Sequence, residues 1–305
     1  MKRSFFVIFA ILFCGITLSA QPLLVQDKTY EKFNTISVED YFVLKFFKSD
    51  SYALKLKTDE RIAAHVQAYV KNGTLYLILD EKGYSPELKK QLRQKGAAAP
   101  VLEAEVYMPE ITSVVLKNMA VITHCDNFNT ETFTLTCSDH SLVSQLNVDC
   151  STAEFNVSKN AQVTAALNVS SKLYLNTANS TQVSLSQTGG ALFINQGNSS
   201  YVDVKATVNS LEVDASGSSE SQISGVATAL RIVGSGLTRV NTELLEVPEG
   251  EVVLTGSAKT HVNVSDRLKV NLTGGSMLTF KRSPRFIIER VVNSTLIKAD
   301  DTKRK

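Results

Sequence analysis

The sequence predicts an all-β protein whose C-terminal two-thirds is a parallel β-solenoid of about nine turns, each of about 19 residues. Three observations carry this. An apolar–any–apolar motif recurs, beginning at Val114, Phe133, Phe155, Leu173, Leu192, Leu211, Leu230, Val252 and Leu268, with steps of 19, 22, 18, 19, 19, 19, 22 and 16 residues. A second motif, a small residue followed by any residue and an aliphatic one, keeps step with it from Ala120-Val121-Ile122 through Ser200-Tyr201-Val202 to Ser276-Met277-Leu278. Residues that tolerate positive φ punctuate the stretches between: Asn118, Gly197, Gly217, Gly234-Ser235-Gly236, Gly256 and Gly274-Gly275.

Two-residue alternation sets apolar side chains on one face of a strand. Two such strands per repeat cannot enclose a core alone, but copies stacked at about 4.8 Å form a rod of roughly 40 Å. The long and short steps read as loops of varying length. The residues after the first motif in four consecutive turns, Ser158, Asn176, Asn195 and Asp214, read as a polar corner ladder. The solenoid is assigned to residues 111–292 and a charged tail to 293–305.

Residues 21–110 lack the repeat and read as a strand-rich segment capping the open end of the solenoid. Strands are predicted at Ile36–Val38, Phe42–Phe47, Ala53–Lys57, His65–Lys71, Thr74–Leu79 and 102–108, with Asn72-Gly73 as a hairpin turn. Ser85-Pro86-Glu87 has the order of N-cap, first-turn proline and first-turn acid, which predicts one short helix to about Gln94 with Leu88 and Leu92 inward.

The N-terminus carries an export signal. Lys2 and Arg3 precede an apolar run from Phe5 to Ile16, then Leu18-Ser19-Ala20, so residues 1–20 read as a signal peptide cleaved between Ala20 and Gln21. Leu12 and Phe13 before Cys14 do not form a lipobox, and no later segment has the ~18 apolar residues of a membrane helix. Cleavage leaves 30 basic residues (32 − 2) against 30 acidic ones, a balance that gives nucleic-acid binding no support. Cys125, Cys137 and Cys150 lack paired metal-ligand spacing and read as buried small hydrophobes, with one disulfide and a leftover thiol as the alternative.

This arrangement resembles the family called putative auto-transporter adhesin, head GIN domain, common in Bacteroidetes. The resemblance lies in Phe33-Asn34-Thr35-Ile36-Ser37-Val38 after the export signal, in Tyr52 to Lys57 followed by Thr58-Asp59-Glu60, and in Asn72-Gly73-Thr74-Leu75-Tyr76-Leu77. It continues in Val106-Tyr107-Met108-Pro109-Glu110-Ile111 and in Gly/Ser-rich turns such as Gly234-Ser235-Gly236, and spans about residues 28 to 290. The resemblance implies a β-solenoid with a strand-rich start, exported to the periplasm or the cell surface. The stretch 84–98 reads as an insertion relative to a minimal member. No strand pattern here matches the ~9–11-residue spans of a membrane barrel.

No catalytic, cofactor or metal site is predicted. Ser138-Asp139-His140-Ser141 holds the residue types of a hydrolase triad, but neighbouring side chains diverge and the segment reads as a turn. His124, Cys125 and Asp126 would need distant partners to hold a metal, and Asp203 and Asp214 would have to face one another across ~5–10 Å to cleave a glycoside. The outward position of the second motif holds Gln162, Gln182, Tyr201, Gln222, Arg239 and His261. Read as one row, these make a stripe of amide, aromatic and cationic groups suited to sugars. The expectation is a non-enzymatic, adhesin-like envelope protein that binds a glycan or a surface protein. A carbohydrate-active enzyme and an inert envelope spacer are the alternatives. The terminal strand edges permit a dimer, though no residue in the sequence demands one.

Overall fold

A computed structural model of the chain describes residues 22–299. The signal peptide, its Ala20–Gln21 cleavage point and the tail from Asp300 onward lie outside the described residues. From Ser113 to Lys298 the backbone climbs in parallel rungs, each turn laying strand into two sheets. Sheet one carries the first motif and sheet two the second. The parallel β-solenoid of about nine turns is therefore present, preceded by a strand-rich segment with one α-helix.

The register is more regular than the motif steps suggest. In sheet one Phe133 lies opposite Ala153, and the column continues through Leu173, Leu192, Leu211, Leu230, Gly250, Leu268 and Phe286. The differences between successive members are 20, 20, 19, 19, 19, 20, 18 and 18 residues. Three motif starts thus sit two residues too far along: Val114 faces Leu135, Phe155 faces Leu175, and Val252 faces Ile232. A slip of two keeps every side chain on its own face, so hydrophobic alternation alone does not reveal it. The polar ladder shifts likewise. Asn156, not Ser158, precedes Asn176, Asn195 and Asp214, and Asn176 Nδ2 donates to Asn156 Oδ1 at 2.9 Å.

Within a turn the chain bends from sheet two into sheet one without leaving the ladder. Strands such as Gln162–Ala178 and Tyr201–Ala215 therefore run 17 and 15 residues through both sheets, rather than as two short pieces. The return corner is sharper and uses left-handed residues. Asn198, Gly217, Gly236, Gly256 and Gly274 stack there with φ of 57°, 73°, 76°, 69° and 80°. Gly217 is required: a Cβ would meet the Asn198 backbone at 3.0 Å. Earlier corners use pairs such as Asp139/His140 and Asn179/Ser180, and it is Asn198 rather than Gly197 that takes positive φ.

The N-terminal segment joins the same stack. It comprises β1 (Leu23–Thr29), β2 (Thr35–Glu39), β3 (Val43–Lys48), β4 (Ala53–Asp59), β5 (Val66–Lys71), β6 (Thr74–Leu79), α1 (Pro86–Leu92) and β7 (Leu102–Met108). β2 pairs in parallel with Ser113–Lys117 in sheet one, and β3 with Val121–Cys125 in sheet two. β6 and β7 add a further parallel rung on the outer side of β2 and β3. β5 and β4 then run antiparallel to β6 and β7, and β1 lies antiparallel on β4. The hairpin at Asn72-Gly73 has φ of 53° and 74°, as a two-residue type I′ turn demands. Ser85 Oγ caps α1 by accepting from Leu88 N at 3.1 Å, and the helix ends at Leu92, with Leu88 and Leu92 packed against the core. One buried pair anchors this segment: Asp59, with no side-chain exposure, is gripped in a fork by Arg61. One hydrophobic core runs from Phe33 to Leu278.

Candidate functional site

The sheet-two strands alternate strictly, as in Gln162–Val169, where Val163, Ala165, Leu167 and Val169 point into the core and the intervening residues point out. Stacking turns this alternation into columns on an outer face. One column runs Gln162, Gln182, Tyr201, Glu220, Arg239, Lys259 and Met277. Its neighbour, two residues along, runs Thr164, Ser184, Asp203, Gln222, Asn241, His261 and Thr279. The six residues singled out from the sequence all face outward on this sheet, but they do not form one row. Gln162, Gln182, Tyr201 and Arg239 share the first column, whereas Gln222 and His261 belong to the second.

The reason is again a slip of two. In the turn of Gln222 the corner position belongs to Ser219, and Ser221 takes the inward place that Val202 and Val240 hold in neighbouring turns. Ser221 is tolerated there because its Oγ donates to Oε1 of Gln196, itself fully buried with its Nε2 donating to Ser200 O at 2.9 Å and Glu220 O at 2.7 Å. A small residue at the wrong inward position imitates the motif.

A shallow groove of about 290 Å³ opens beside these columns, and its lining includes Asn147, Thr164, Ser184, Ser186, Asp203 and Lys205. Sequence reasoning missed the groove residues, except for weighing Asp203 as an acid. The available signal was the pair of positions three and five residues after each sheet-two corner, which only the correct register identifies. Ser184, Ser186, Asp203 and Lys205 are exposed, and neither Asp203 nor Lys205 takes part in an ion pair or a side-chain hydrogen bond. Burial, and after it the carboxylates of Asp203 and Glu220, push the Tyr201 phenol upward, so it stands in this face as a neutral donor.

Sheet one is chemically different. Its outer face carries an alternating charge column in which Arg231 pairs with Glu212 and Glu251, and Lys269 with Glu251 at 3.0 Å and Glu289 at 2.9 Å. Tyr174 and Phe193 stack with centroids 5.0 Å apart and planes 17° from parallel, which turns their faces toward one another along the rod. Its ion pairs and rings are committed to neighbouring rungs.

The catalytic-looking clusters disperse. Asp139 and His140 occupy the left-handed corner, Ser138 Oγ donates to Asp139 at 2.6 Å, Lys159 pairs with Asp139 at 3.2 Å, and Ser141 is buried. Ser138 first, then Lys159, hold the Asp139 carboxyl below its ordinary range. His124 meets Asp126 at 3.0 Å while Cys125 points into the core. Asp203 lies on sheet two and Asp214 on sheet one, so the two carboxylates belong to different faces. Among the described residues no three His, Cys, Asp or Glu side chains gather as a metal site. Cys125, Cys137 and Cys150 are free and buried, and burial pushes their thiols up to about 12, 12 and 11 respectively.

The family model described as putative auto-transporter adhesin, head GIN domain, matches residues 32–171 and again residues 144–284. The chain belongs to this family. Two overlapping matches along one GIN-domain chain fit a fold made by repetition. A crystal structure of a putative adhesin from Parabacteroides merdae superposes with a TM-score of 0.50 at 15% identity, covering 91% of this chain and 96% of that one. A putative lipid binding protein from Parabacteroides distasonis gives 0.48 at 12% identity over 91% and 97%, and a putative adhesin from that species gives 0.43 at 15% over the same shares. The Parabacteroides merdae likeness speaks for the fold alone. No curated protein matches the chain. Among the described residues no helix is long and apolar enough to cross a membrane.

Proposed function

We propose that this GIN-domain protein is exported to the cell envelope and works there as a non-enzymatic binding module that recognises a glycan through the outer face of sheet two. One observation carries the reading: Ser184, Ser186, Asp203 and Lys205 in the groove hold no side-chain hydrogen bond or ion pair, whereas the charged column of sheet one pairs with itself from rung to rung. Ser184, Ser186, Asp203 and Lys205 offer hydroxyl, carboxylate and ammonium groups around an open groove, and Gln182 adds an amide in the neighbouring column. Successive rungs repeat such groups about every 4.8 Å, a regular array suited to a ligand with a short chemical repeat of its own. Unsatisfied, pre-positioned donors and acceptors on a rigid sheet lose little entropy on binding, which suits a weak, hydrogen-bonded, wet interface. The family's adhesin description agrees in kind.

Screening the purified exported protein on a glycan array, beside a pull-down from envelope extract, tests this. The reading expects array hits that weaken about tenfold or more in Asp203→Ala/Lys205→Ala, because each lost charged hydrogen bond removes about 1.5–3 kcal/mol. Silence on the array with capture of an envelope protein would replace the glycan by a protein partner; silence in both would overturn recognition altogether.

A further inference from the structure

The two ends of the rod differ. At the N-terminal end the antiparallel strands β1, β4 and β5 close the stack, and Tyr30 Oη donates to Ala68 O of β5 at 3.1 Å. At the C-terminal end the last rungs, Arg285–Val292 in sheet one and Thr295–Lys298 in sheet two, each pair on one side only. Their core-facing side chains have no rung beyond them among the described residues. Ile288, opposite buried Val270, is 59% exposed, and Val291, opposite buried Leu272, is 38% exposed. An unpaired edge that exposes apolar side chains is a template for another strand; this one carries a single register slip at Glu289, between Ile288 opposite Val270 and Arg290 opposite Asn271.

The charge pattern says which strand. The alternating column of sheet one runs Glu212, Arg231, Glu251 and Lys269 and meets Ile287 in the last rung. There Lys269 pairs diagonally with Glu289, 44% exposed, so the charge pattern ends on an anion and the next rung calls for a cation. Arg285, on the same outward side as Ile287 and Glu289, has no ion-pair partner among the described residues. Two copies of one strand related by a two-fold axis normal to the sheet must pair antiparallel, with facing residues of equal parity. The register with Ile287 on the axis satisfies this. It sets Arg285 of each copy opposite Glu289 of the other, and on the core side Phe286 opposite Ile288.

We propose that the strand Arg285–Val292 is the two-fold contact of a homodimer, in which two rods join end to end and share one continuous core. The charge column then passes across the junction, from Lys269 through Glu289 to the second copy's arginine. Thr295–Lys298 meets its own counterpart in sheet two, covering Leu296. The dimer presents two copies of the polar face, and such bivalency raises avidity on a repetitive surface.

Analytical ultracentrifugation of the exported protein over a concentration series tests the proposal. The wild type is expected at twice the chain mass, dissociating only on dilution. Arg285→Glu and Glu289→Arg, each placing like charges opposite one another twice, should raise the dimer dissociation constant about tenfold or more, and the two changes combined should recover most of the loss. Ile288→Asp, at an exposed position, should give a folded monomer whose thermal midpoint equals that of wild type diluted until it dissociates. A wild type monomeric at about 100 μM, an assembly that grows beyond a dimer, a dimer indifferent to Arg285→Glu and Ile288→Asp, or single charge reversals not rescued by their combination would each overturn it.

Discussion

Gly225 is the position where stacking leaves least room. It sits in the ladder opposite Ala206 with φ of 115°, and a Cβ built on it would lie 1.9 Å from the Ala206 carbonyl oxygen. That is roughly 1.4 Å short of the ~3.3 Å at which a carbon and a carbonyl oxygen ordinarily meet. The three nearest atoms all belong to the Ala206 backbone, so no side chain can swing away, and a rung must move. Two other glycines separate the contributions. Gly73 has φ of 74° but nothing within 4 Å, so its alanine variant carries backbone strain alone, about 1 kcal/mol. Gly197 lies outside the left-handed region and its nearest atom would be 3.7 Å away, so alanine there should be neutral or stabilising by about 0.5 kcal/mol through the unfolded chain. Gly225→Ala combines strain and collision, and about 4 kcal/mol or more is expected. Urea denaturation followed by circular dichroism ranks the three. A Gly225→Ala variant within about 1 kcal/mol of Gly197→Ala would refute the close approach, and with it the register of this rung.

Further predictions concern buried charge and thiols. Arg61→Ala should cost about 3 kcal/mol, since it leaves the Asp59 carboxylate, which has no exposure, without a cation and with only the backbone N–H of residue 61 as donor. Hydrogen bonding from Arg61 depresses the folded Asp59 pKa, so the pair's contribution is full above the unfolded value of about 3.9 and is lost as pH falls through the folded one. The acid limb of a stability–pH profile should therefore flatten in Arg61→Ala. Cys125, Cys137 and Cys150 should resist a maleimide at pH 8 and react on unfolding, because burial both raises the thiols and shields them. Mass spectrometry of the folded protein showing rapid labelling would contradict their burial.

The sequence is most readable where every inward place holds an aliphatic side chain. Leu173, Leu192, Leu211 and Leu230 fall in one column, and the motif finds each of them. It fails at Ala153 and Gly250, where the inward residue is small and the search moves to the next apolar pair. Gly250 is small for a reason visible only in three dimensions: a Cβ there would meet Val264 Cγ2 at 2.8 Å and Leu268 Cδ1 at 3.3 Å, side chains that already fill its place. The N-terminal strands were legible one by one, apart from β1, whose exposed residues show no alternation. Their order was not, because the rung of β6 and β7 is added outside that of β2 and β3 by pairings distant in sequence. The candidate site suffered the same limit. Its face could be named from outward positions, but the groove of Ser184, Asp203 and Lys205 depends on which rungs lie side by side, and a two-residue slip moves Gln222 and His261 into another column.

The claim that sheet two, and not sheet one, meets the ligand is tested most directly by hydroxyl-radical footprinting with and without a glycan hit from the array. Tyr201 stands half-buried on one face and Tyr174 exposed on the other, and both are reactive rings with surface in solvent. The account predicts that ligand protects Tyr201 and leaves Tyr174 unchanged. Protection of Tyr174 and Phe193 with Tyr201 unaffected would contradict it.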